Sequence, residues 1–358
     1  MKITDIKIHV LKPTLKVNFG LSDYLMRWCA VQVFTDEGII GEFITRGFED
    51  PDSVGKSLSN IRSDIIGKDP FDREKIITEL SFKWRYPAYL LGIIDVLLWD
   101  VAGKVTEMPI YKLLGAQKDK ILAYGTTLSY TTDEEFVNIA LECKKKGYKA
   151  VKIHTHQNWK KDIALIRTVR EAVGDDVLLM CDPLNGYIDR IDALKVGKEL
   201  EKLDYLWYED PLPSTDIDGL EELCKKLDID IVMGEDFTSF SQHATYIRRN
   251  ANDVLRTAIE QGGITGAMKV AHLAECFGMK CEPGNYGSMP TQAAHLHIEL
   301  ANQNCRFYEM PIPEGIFDIC MKETARIDGD GYIRAPTKPG LGYEIDWNEV
   351  NRNTIKIY

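Results

Sequence analysis

The sequence has no excess of positive charge. It contains 44 lysine and arginine residues against 55 aspartate and glutamate residues, for a formal net charge of −11. Nucleic acids and anionic membranes bind basic surfaces, so neither is expected as a partner. The sequence also lacks an apolar run long enough to span a bilayer, and its opening, MKITDIKIHVLK, is typical of an alternating strand rather than a signal peptide.

Cysteine pairs with short, regular spacing are missing too. The 8 cysteines form no CxxC motif, and Cys143, Cys224 and Cys276 fall on the apolar faces of predicted helices. This pattern argues against a disulfide framework and predicts small buried thiols in a reducing compartment. We therefore expect a cytoplasmic protein.

The first 120 residues predict an α+β unit. Strand patterns occur at 2–11, 27–35 and 39–45, and helical patterns at 52–65, 71–82 and 88–105. The turn Asp36-Glu37-Gly38 between the last two strands is typical of an antiparallel meander. The last helical pattern is apolar on nearly every side, which predicts a buried helix.

From residue 121 the pattern changes to short apolar strands that alternate with amphipathic helices. Eight strands and seven helices at this spacing predict a parallel sheet closed into a barrel. A doubly wound open sheet is the alternative, but no glycine-rich fingerprint follows an early strand. The predicted fold is therefore a modified TIM barrel, (β/α)7β, over 121–322, with an α+β capping domain over 1–120 that the tail, 323–358, completes.

Acidic residues end three successive predicted barrel strands. Asp182, Glu209 and Glu235 are one strand–helix unit apart, and side chains at the carboxyl ends of barrel strands meet at one mouth. Three carboxylates there repel one another, and a divalent cation relieves the repulsion. Ligands that are all oxygen favour Mg²⁺. The alternative is that each acid caps a helix, an interpretation that Asp210 and Asp236 fit better.

The stretch YKAVKIHTH precedes these acids by one strand. Lys152 and His154 are two residues apart on the predicted strand, so they face the same side. His156 lies past the expected end of the strand, and we expect it in a solvated loop. A cation and an imidazole thus join the three acids at the barrel mouth.

In this order the motifs resemble the enolase superfamily, specifically its mandelate racemase and muconate lactonising branch, over essentially the whole chain. VKIH resembles that family's Lys-x-Lys strand, with His154 in place of the second lysine. CDPLNGY, WYEDPLP and MGEDF resemble its three metal-ligand strands, which implies Asp182, Glu209 and Glu235 as ligands. IIDVLLWDVAGKVTEMPIYKLLGA and QGGITGAMKVAHLAECFGM resemble its buried helix and the turn and helix after its sixth strand.

The resemblance implies that Mg²⁺ holds the carboxylate of a small-molecule substrate while a base removes the α-proton. His154 is the implied base, and Lys152 is expected to bind the same carboxylate and to favour the neutral imidazole. Tyr24 and Arg46 lie in loops that close over the substrate in this family, where Arg46 can clamp a distal carboxylate. The resemblance also implies a symmetric homo-oligomer.

Racemases of this family carry a second base on the opposite face of the substrate. At the corresponding positions this sequence has Thr257 and, on or near the expected histidine, Gly284; no histidine lies between 273 and 294. Leu184 also stands where the family often has asparagine. Racemisation needs proton donors on both faces, whereas an elimination can proceed with one.

These residues lead to a prediction with three alternatives. The leading prediction is a hydro-lyase that dehydrates a sugar acid to a 2-keto-3-deoxy acid. The alternatives are an acid-sugar lactone cycloisomerase, a racemase or epimerase, and, from another class, a metal-binding scaffold without catalysis. Tyr286 and Glu309 are the further candidates at strand ends, as weaker acids or as groups that bind and orient the substrate.

Overall fold

The computed structural model describes residues 1–13, 15–19, 22–47 and 50–358. The N-terminal unit contains β1 (Ile3–Leu11), β2 (Leu15–Phe19), β3 (Ser22–Met26), β4 (Cys29–Thr35), β5 (Ile40–Ile44), α1 (Pro51–Ile65), α2 (Arg73–Trp84), α3 (Ala88–Val105) and α4 (Ile110–Leu113). β1, β4 and β5 form an antiparallel sheet, as the strand and turn patterns predicted. The turn between β4 and β5 places Gly38 at a φ of 80°, a conformation that glycine adopts without strain.

The hairpin of β2 and β3 has no counterpart among the predicted strands. Of the side chains whose exposure is described in it, only Val17 and Met26 are buried. Two apolar positions are too few to give the alternating pattern of a half-buried strand. The hairpin nevertheless reaches the barrel, because Ser129 N donates to Asn18 O at 3.3 Å.

The second unit alternates strands and helices. The strands are β6 (Lys120–Thr126), β7 (Ala150–His154), β8 (Leu178–Asp182), β9 (Tyr205–Glu209), β10 (Asp230–Met233), β11 (Val254–Leu255), β12 (Lys280–Cys281) and β13 (Phe307–Pro311). The helices are α5 (Asp133–Lys146), α6 (Trp159–Val173), α7 (Arg190–Lys202), α8 (Ile217–Lys226), α9 (Phe240–Arg249), α10 (Gly263–Cys276) and α11 (Met289–Ala301). Eight parallel strands with seven intervening helices, in the order β12-β11-β10-β9-β8-β7-β6-β13, confirm the modified TIM barrel with its N-terminal cap.

Local signals set the ends of these helices. At the start of α5, the Thr132 hydroxyl accepts from the Glu135 backbone N–H while the Glu135 carboxylate accepts from the Thr132 N–H. The helix ends at Gly147, which has a φ of 106°. Such caps satisfy backbone groups that a helix leaves without partners.

The seam between β12 and β13 is closed by a side chain as well as by backbone. Cys281 N donates to Asn304 O at 3.1 Å. The buried Glu282 carboxylate accepts from the backbone N–H groups of Arg306 and Phe307 at 3.0 and 3.2 Å. A carboxylate therefore satisfies donors that a regular ladder would satisfy with carbonyls.

The barrel interior is layered. Seven residues from successive strands form one apolar cluster in its lower part: Tyr124, Ala150, Met180, Trp207, Val232, Val254 and Phe307. Because alternate residues of a strand face the same side, the residues two further along also point inward. These are Thr126, Lys152, Asp182, Glu209, Gly234, Arg256 and Glu309, and they put an ionic layer directly above the apolar one.

The tail contacts both units. It contains β14 (Tyr332–Arg334), α12 (Trp347–Asn353) and β15 (Thr354–Ile357). β15 pairs antiparallel with β1 and completes the capping sheet, but β14 pairs antiparallel with β6 of the barrel. The expectation that the tail strands return to the cap is thus wrong for β14, since apolar patterning does not identify a strand's partner. The boundaries at residues 120 and 322 stay a prediction.

One expectation about the cysteines is wrong. Cys143 is buried, but Cys224 is half-buried and Cys276 is exposed at the last position of α10. The last turn of a helix can leave the protein core, so its apolar face no longer guarantees burial. Within the described ranges, no helix combines the length and apolarity needed to cross a bilayer.

Candidate active site at the barrel mouth

Three of the predicted site residues are the last residues of consecutive strands. β7 ends at His154, β8 at Asp182 and β9 at Glu209, and His154 lies directly opposite Asp182 in the parallel register. All three are buried. The period-two alternation therefore brings the side chains predicted from the sequence to one end of the barrel.

Lys152 lies at the centre of the ionic layer. Its Nζ is 3.2 Å from Asp182 Oδ2, 2.8 Å from Glu209 Oε1 and 3.0 Å from Glu309 Oε1. Burial and the nearby Arg256 would lower the pKa of Lys152, but Glu209 and Glu309 outweigh them and hold this pKa well above its usual value. Lys152 is therefore a permanent cation at neutral pH and not a proton acceptor.

His154 is 2 % exposed and held at both ring nitrogens. Nδ1 contacts the carbonyl oxygen of Thr127, and Nε2 lies 3.2 Å from Asp182 Oδ2. A carbonyl can only accept a hydrogen bond, so Nδ1 carries a proton toward Thr127, while Nε2 faces the carboxylate of Asp182. Nε2 is the atom able to take up and release a proton.

The carboxylates next to these cations differ in their affinity for protons. Burial raises the pKa of Asp182 and Glu309, but Lys152 reverses the effect in both, so each pKa lies well below its usual value. In Glu209, burial prevails over the pull of Arg256 and Lys152 and raises the pKa to about 8. The carboxylates of the cluster are therefore not equivalent, although they share the same cations.

Arg46 extends from the cap to the third predicted ligand. Its Nη2 donates to Glu235 Oε1, its Nε donates to the Tyr286 carbonyl at 2.7 Å, and Glu260 lies 3.9 Å away. Burial alone would raise the pKa of Glu235, but the charges of Arg46 and Arg256 outweigh burial and bring the pKa below its usual value. The carboxylate therefore stays ionised. The structure therefore brings Arg46 into the site, on a protein carboxylate.

Asp210 is a site residue that the capping interpretation missed. It is buried, and one oxygen each of Asp182, Glu209 and Asp210 lie within 4.8 Å of one another. The cap of α8 is Asp216 and that of α9 is Ser239, so neither Asp210 nor Asp236 starts a helix. Burial, followed by the charges of Asp182 and Glu209, raises the pKa of Asp210 well above its usual value.

Tyr286 packs beside the catalytic candidates. Its ring meets the His154 ring edge-on with centroids 6.0 Å apart. Burial raises the pKa of the Tyr286 phenol well above its usual value, so it can donate a proton but is not a base at neutral pH. Glu309 is ionised and accepts from Asn285 N at 2.9 Å, which makes it an acceptor rather than an acid.

Two other residues lie outside the ionic cluster. Tyr24 is 43 % exposed on the β2–β3 hairpin, and the structure does not bring it among the buried charges. His156 is not in a solvated loop: it is half-buried, its Nε2 is 2.7 Å from Asp133 Oδ1 and its ring stands edge-on to Phe136. The loop after β7 folds back on α5, which sequence patterning could not indicate.

Arg256 is a site residue that the sequence did not lead us to predict. It follows β11 directly, is fully buried, and contacts Glu209, Glu235 and Glu309. The signal was present, because Arg256 lies two residues after the inward-facing Val254. The family resemblance implies an aspartate or a lysine as the base at this strand end, and an arginine fits neither role.

On the opposite side of the mouth, neither Thr257 nor Gly284 provides a base. β7 and β11 are four strands apart in the eight-stranded barrel and so face each other across it. Thr257 donates its hydroxyl to Gln261 Oε1 at 3.1 Å, and Gly284 has no side chain. The guanidinium of Arg256 lies beside the space that a side chain at 284 would fill.

The donor chemistry of the site fits a metal ion. Asp182, Glu209 and Asp210 can each offer a carboxylate oxygen, with Glu235 close by on Arg256. Burial, followed by the charges of neighbouring carboxylates, raises the pKa values of Glu209 and Asp210, and a divalent cation would relieve the repulsion between these carboxylates.

Two family models match the chain. The model of the mandelate racemase / muconate lactonizing enzyme N-terminal domain matches residues 17–115, and that of the enolase C-terminal domain-like family matches residues 135–350. The chain therefore belongs to the enolase superfamily, in its mandelate racemase and muconate lactonizing branch.

Individual relatives catalyse different reactions. The chain is 28% identical over 341 residues to an arabinonate dehydratase from Saccharolobus solfataricus, with 91% of this chain and 90% of the relative covered. It is also 28% identical over 369 residues to an N-succinyl-L-Arg/Lys racemase from Bacillus cereus, with 99% and 98% covered. The crystal structure of a D-glucarate dehydratase from Agrobacterium tumefaciens, complexed with magnesium, gives a TM-score of 0.88 at 31% identity, with 99% of this chain and 100% of that chain covered. The relatives are enzymes and include both dehydratases and racemases.

Proposed function

We propose that the protein removes the proton α to a carboxylate and dehydrates a sugar acid to a 2-keto-3-deoxy acid. One observation carries the proposal. A buried imidazole stands at the end of β7, whereas the facing end of β11 presents Arg256, which cannot exchange a proton at neutral pH. One acid–base group supports an elimination better than a racemisation, which needs two.

His154 is the proposed base. With its Nδ1 proton directed to Thr127, its Nε2 takes the α-proton and then delivers it to the departing β-hydroxide. An imidazole suits both steps because histidines as a class titrate near neutral pH. A lysine in its place would be a stronger base but a poorer acid at the same pH.

Lys152 is proposed to bind the substrate carboxylate. Its raised pKa keeps it charged at neutral pH. Asp182 contacts both Lys152 and His154 through the same oxygen, Oδ2. One carboxylate therefore positions both the proposed carboxylate-binding lysine and the proposed base.

The proposed metal ligands are Asp182, Glu209 and Glu235, with Asp210 as the alternative third ligand. A magnesium ion held by them would supply positive charge against which an enediolate is stabilised. Support comes from the oxygen-only donor set and from the magnesium complex of the related D-glucarate dehydratase.

The remaining predicted residues are proposed to recognise the polyol part of the substrate. Arg46 reaches the site from the cap, Glu309 accepts hydrogen bonds, and Tyr286 is able to donate one. Tyr24, exposed on the β2–β3 hairpin, is proposed to contact the substrate from outside the buried cluster. A cytoplasmic location and a homo-oligomeric assembly stay predictions from the sequence.

A panel of acid sugars incubated with Mg²⁺ in heavy water tests the proposal. Formation of a 2-keto acid identifies a dehydratase, whereas deuterium incorporation with inversion and no keto acid identifies a racemase or epimerase. Opening or rearrangement of a lactone without either identifies a cycloisomerase, and no reaction across the panel favours the scaffold. Because one histidine serves both steps, proton and hydroxyl must leave from the same face; a purely anti elimination would shift the role of acid or base to another residue, with Tyr286 the first to replace.

A further inference from the structure

Arg256 is an arginine buried inside the acidic cluster. Its Nε lies 2.9 Å from Glu209 Oε1 and 3.3 Å from Glu235 Oε2, and its Nη2 lies 2.8 Å from Glu309 Oε2. Its Nη1 donates to the Tyr124 hydroxyl at 3.2 Å. Three carboxylates from three strands thus converge on one guanidinium that is 0 % exposed.

The neighbouring backbone accommodates this guanidinium. A Cβ atom at residue 284 would lie 2.7 Å from Glu235 Oε2 and 3.0 Å from Arg256 Nη2, closer than Cβ atoms normally approach other atoms. The glycine at 284 therefore leaves the room in which Arg256 and Glu235 meet. The absence of a side chain at Gly284 thus matches the position of the Arg256 guanidinium.

Arg256 and Lys152 hold the same acids from opposite sides of the barrel. Both contact Glu209 Oε1, and each binds one oxygen of Glu309. Removing one partner from a buried group of charges leaves the others uncompensated, which is strongly destabilising. Without Arg256, Lys152 would be the remaining cation in contact with Glu209 and Glu309 among these ion pairs. Glu235 would retain its contact with Arg46.

A divalent cation would need oxygens that Arg256 already occupies. Glu209 Oε1 is shared by Arg256 and Lys152, and Glu209 Oε2 accepts from the Trp207 indole N–H at 3.1 Å. Glu235 offers Oε2 to Arg256 and Oε1 to Arg46. Two cations that require the same oxygens bind in competition, because like charges at such distances repel.

We propose that Arg256 is a resident counter-cation of the acidic cluster: it keeps the metal-free protein folded and weakens binding of a divalent ion by competing for Glu209 and Glu235. This inference rests on the proposed metal site and not on the proposed reaction. Arg256 is a positioning residue, since its contacts are to protein carboxylates and not to a substrate.

The test compares metal affinity and thermal stability in the full-length chain. Wild-type protein and the Arg256→Gln variant are stripped with a chelator, melted with and without Mg²⁺, and titrated calorimetrically with Mg²⁺. We expect the metal-free variant to melt lower than the metal-free wild type, a larger rise in Tm on adding Mg²⁺ to the variant, and Mg²⁺ affinity in the variant higher by about tenfold or more.

Arg170→Gln is the matched control. Arg170 is also a largely buried arginine, but its guanidinium donates to backbone carbonyls, among them Val177 O and Leu203 O, away from the mouth. Its loss should lower Tm equally with and without Mg²⁺ and leave the affinity unchanged. Arg256→Lys is the second variant, for the case in which Arg256→Gln does not fold without metal. Its side chain is shorter but keeps the positive charge, so the variant should fold without metal. Its Mg²⁺ affinity should lie between that of the wild type and that of Arg256→Gln measured in the presence of metal.

Three results would overturn the inference: unfolding of the wild type on chelation, unchanged or weaker Mg²⁺ affinity in both Arg256 variants, or no Mg²⁺ binding by wild type and variants alike. Tighter binding in the variants together with no reaction on any acid sugar would leave the inference standing and contradict only the proposed reaction.

Discussion

The two sides of the barrel mouth are built by the same strand geometry but differ in what they can do. At β7 the inward positions are Lys152 and His154, a cation and an imidazole. At β11 the inward position is Arg256, whose guanidinium keeps its protons and binds Glu209, Glu235 and Glu309. We therefore propose proton transfer on the β7 side and charge balance on the β11 side, an arrangement that favours a one-base reaction.

Replacing the acid that both sides share should have the largest effect. Glu209 Oε1 contacts Lys152 from one side and Arg256 from the other. Glu209→Gln nearly preserves the shape and removes the charge, so we expect no measurable turnover and a folded protein, as judged by circular dichroism and a cooperative melt. Full activity of this variant, or of the wild type in excess chelator, would contradict the metal-dependent mechanism.

The proton-transfer side is tested next. His154→Asn removes the imidazole at the end of β7 and should lower both α-hydrogen exchange and keto-acid formation by about 10²- to 10⁴-fold. His156→Asn, two residues away and paired with Asp133, should keep both reactions. Exchange that continues at the wild-type rate in His154→Asn would mean that the base lies elsewhere and that the contrast between the two sides is wrong.

Two amide substitutions, Glu235→Gln and Asp210→Asn, test which carboxylate is the third metal ligand. The pKa of Glu235 lies below its usual value, whereas burial raises the pKa of Asp210 well above its usual value. We therefore expect Glu235→Gln to weaken Mg²⁺ binding by about tenfold or more and Asp210→Asn to have a smaller effect, measured by calorimetry. A larger loss in Asp210→Asn would make Asp210 the third ligand.

The smallest expected effect comes from the charge-balancing side. A methyl group at Gly284 would press on Glu235 Oε2 and Arg256 Nη2, so Gly284→Ala should shift these flexible ends and lower kcat by about tenfold, the scale of one disturbed charge-assisted hydrogen bond. Gly329→Ala is the control, because no atom lies within 4 Å of a Cβ built there. Equal activity of both variants would show that the close packing at residue 284 is not needed.

Much of the site could be predicted because it follows from the local pattern of apolar and polar residues along the chain. Each apolar run marks a strand, the polar residue at its end marks the mouth, and alternation assigns Lys152 and His154 to one face. The same rule, applied to β11, would also have found Arg256. Tyr24 shows the limit: the resemblance implied a loop over the substrate, but not that the side chain would be largely exposed on a hairpin.

Asp210 shows why another part of the site could not be predicted. Alternation places the residue after Glu209 on the opposite face, yet Asp210 has a φ of 40°, in the left-handed region, and its carboxylate joins those of Asp182 and Glu209. A non-glycine residue holds this conformation only when the surrounding structure imposes it. No property of the sequence WYEDPLP indicated this backbone turn.

The sequence by itself determined the alternation of strands and helices, the acidic strand ends and the Lys-x-His pair, because these depend on residues a few positions apart. Only the tertiary structure decided which charges meet: Arg46 of the cap with Glu235, Arg256 with three acids, and Lys152 with Glu209 and Glu309. Such contacts join residues as many as 189 positions apart, and closure of the barrel and docking of the cap bring them within hydrogen-bonding distance. The physical reason is that periodicity is a local property of the chain, whereas the compensation of buried charge depends on every strand that faces the same interior.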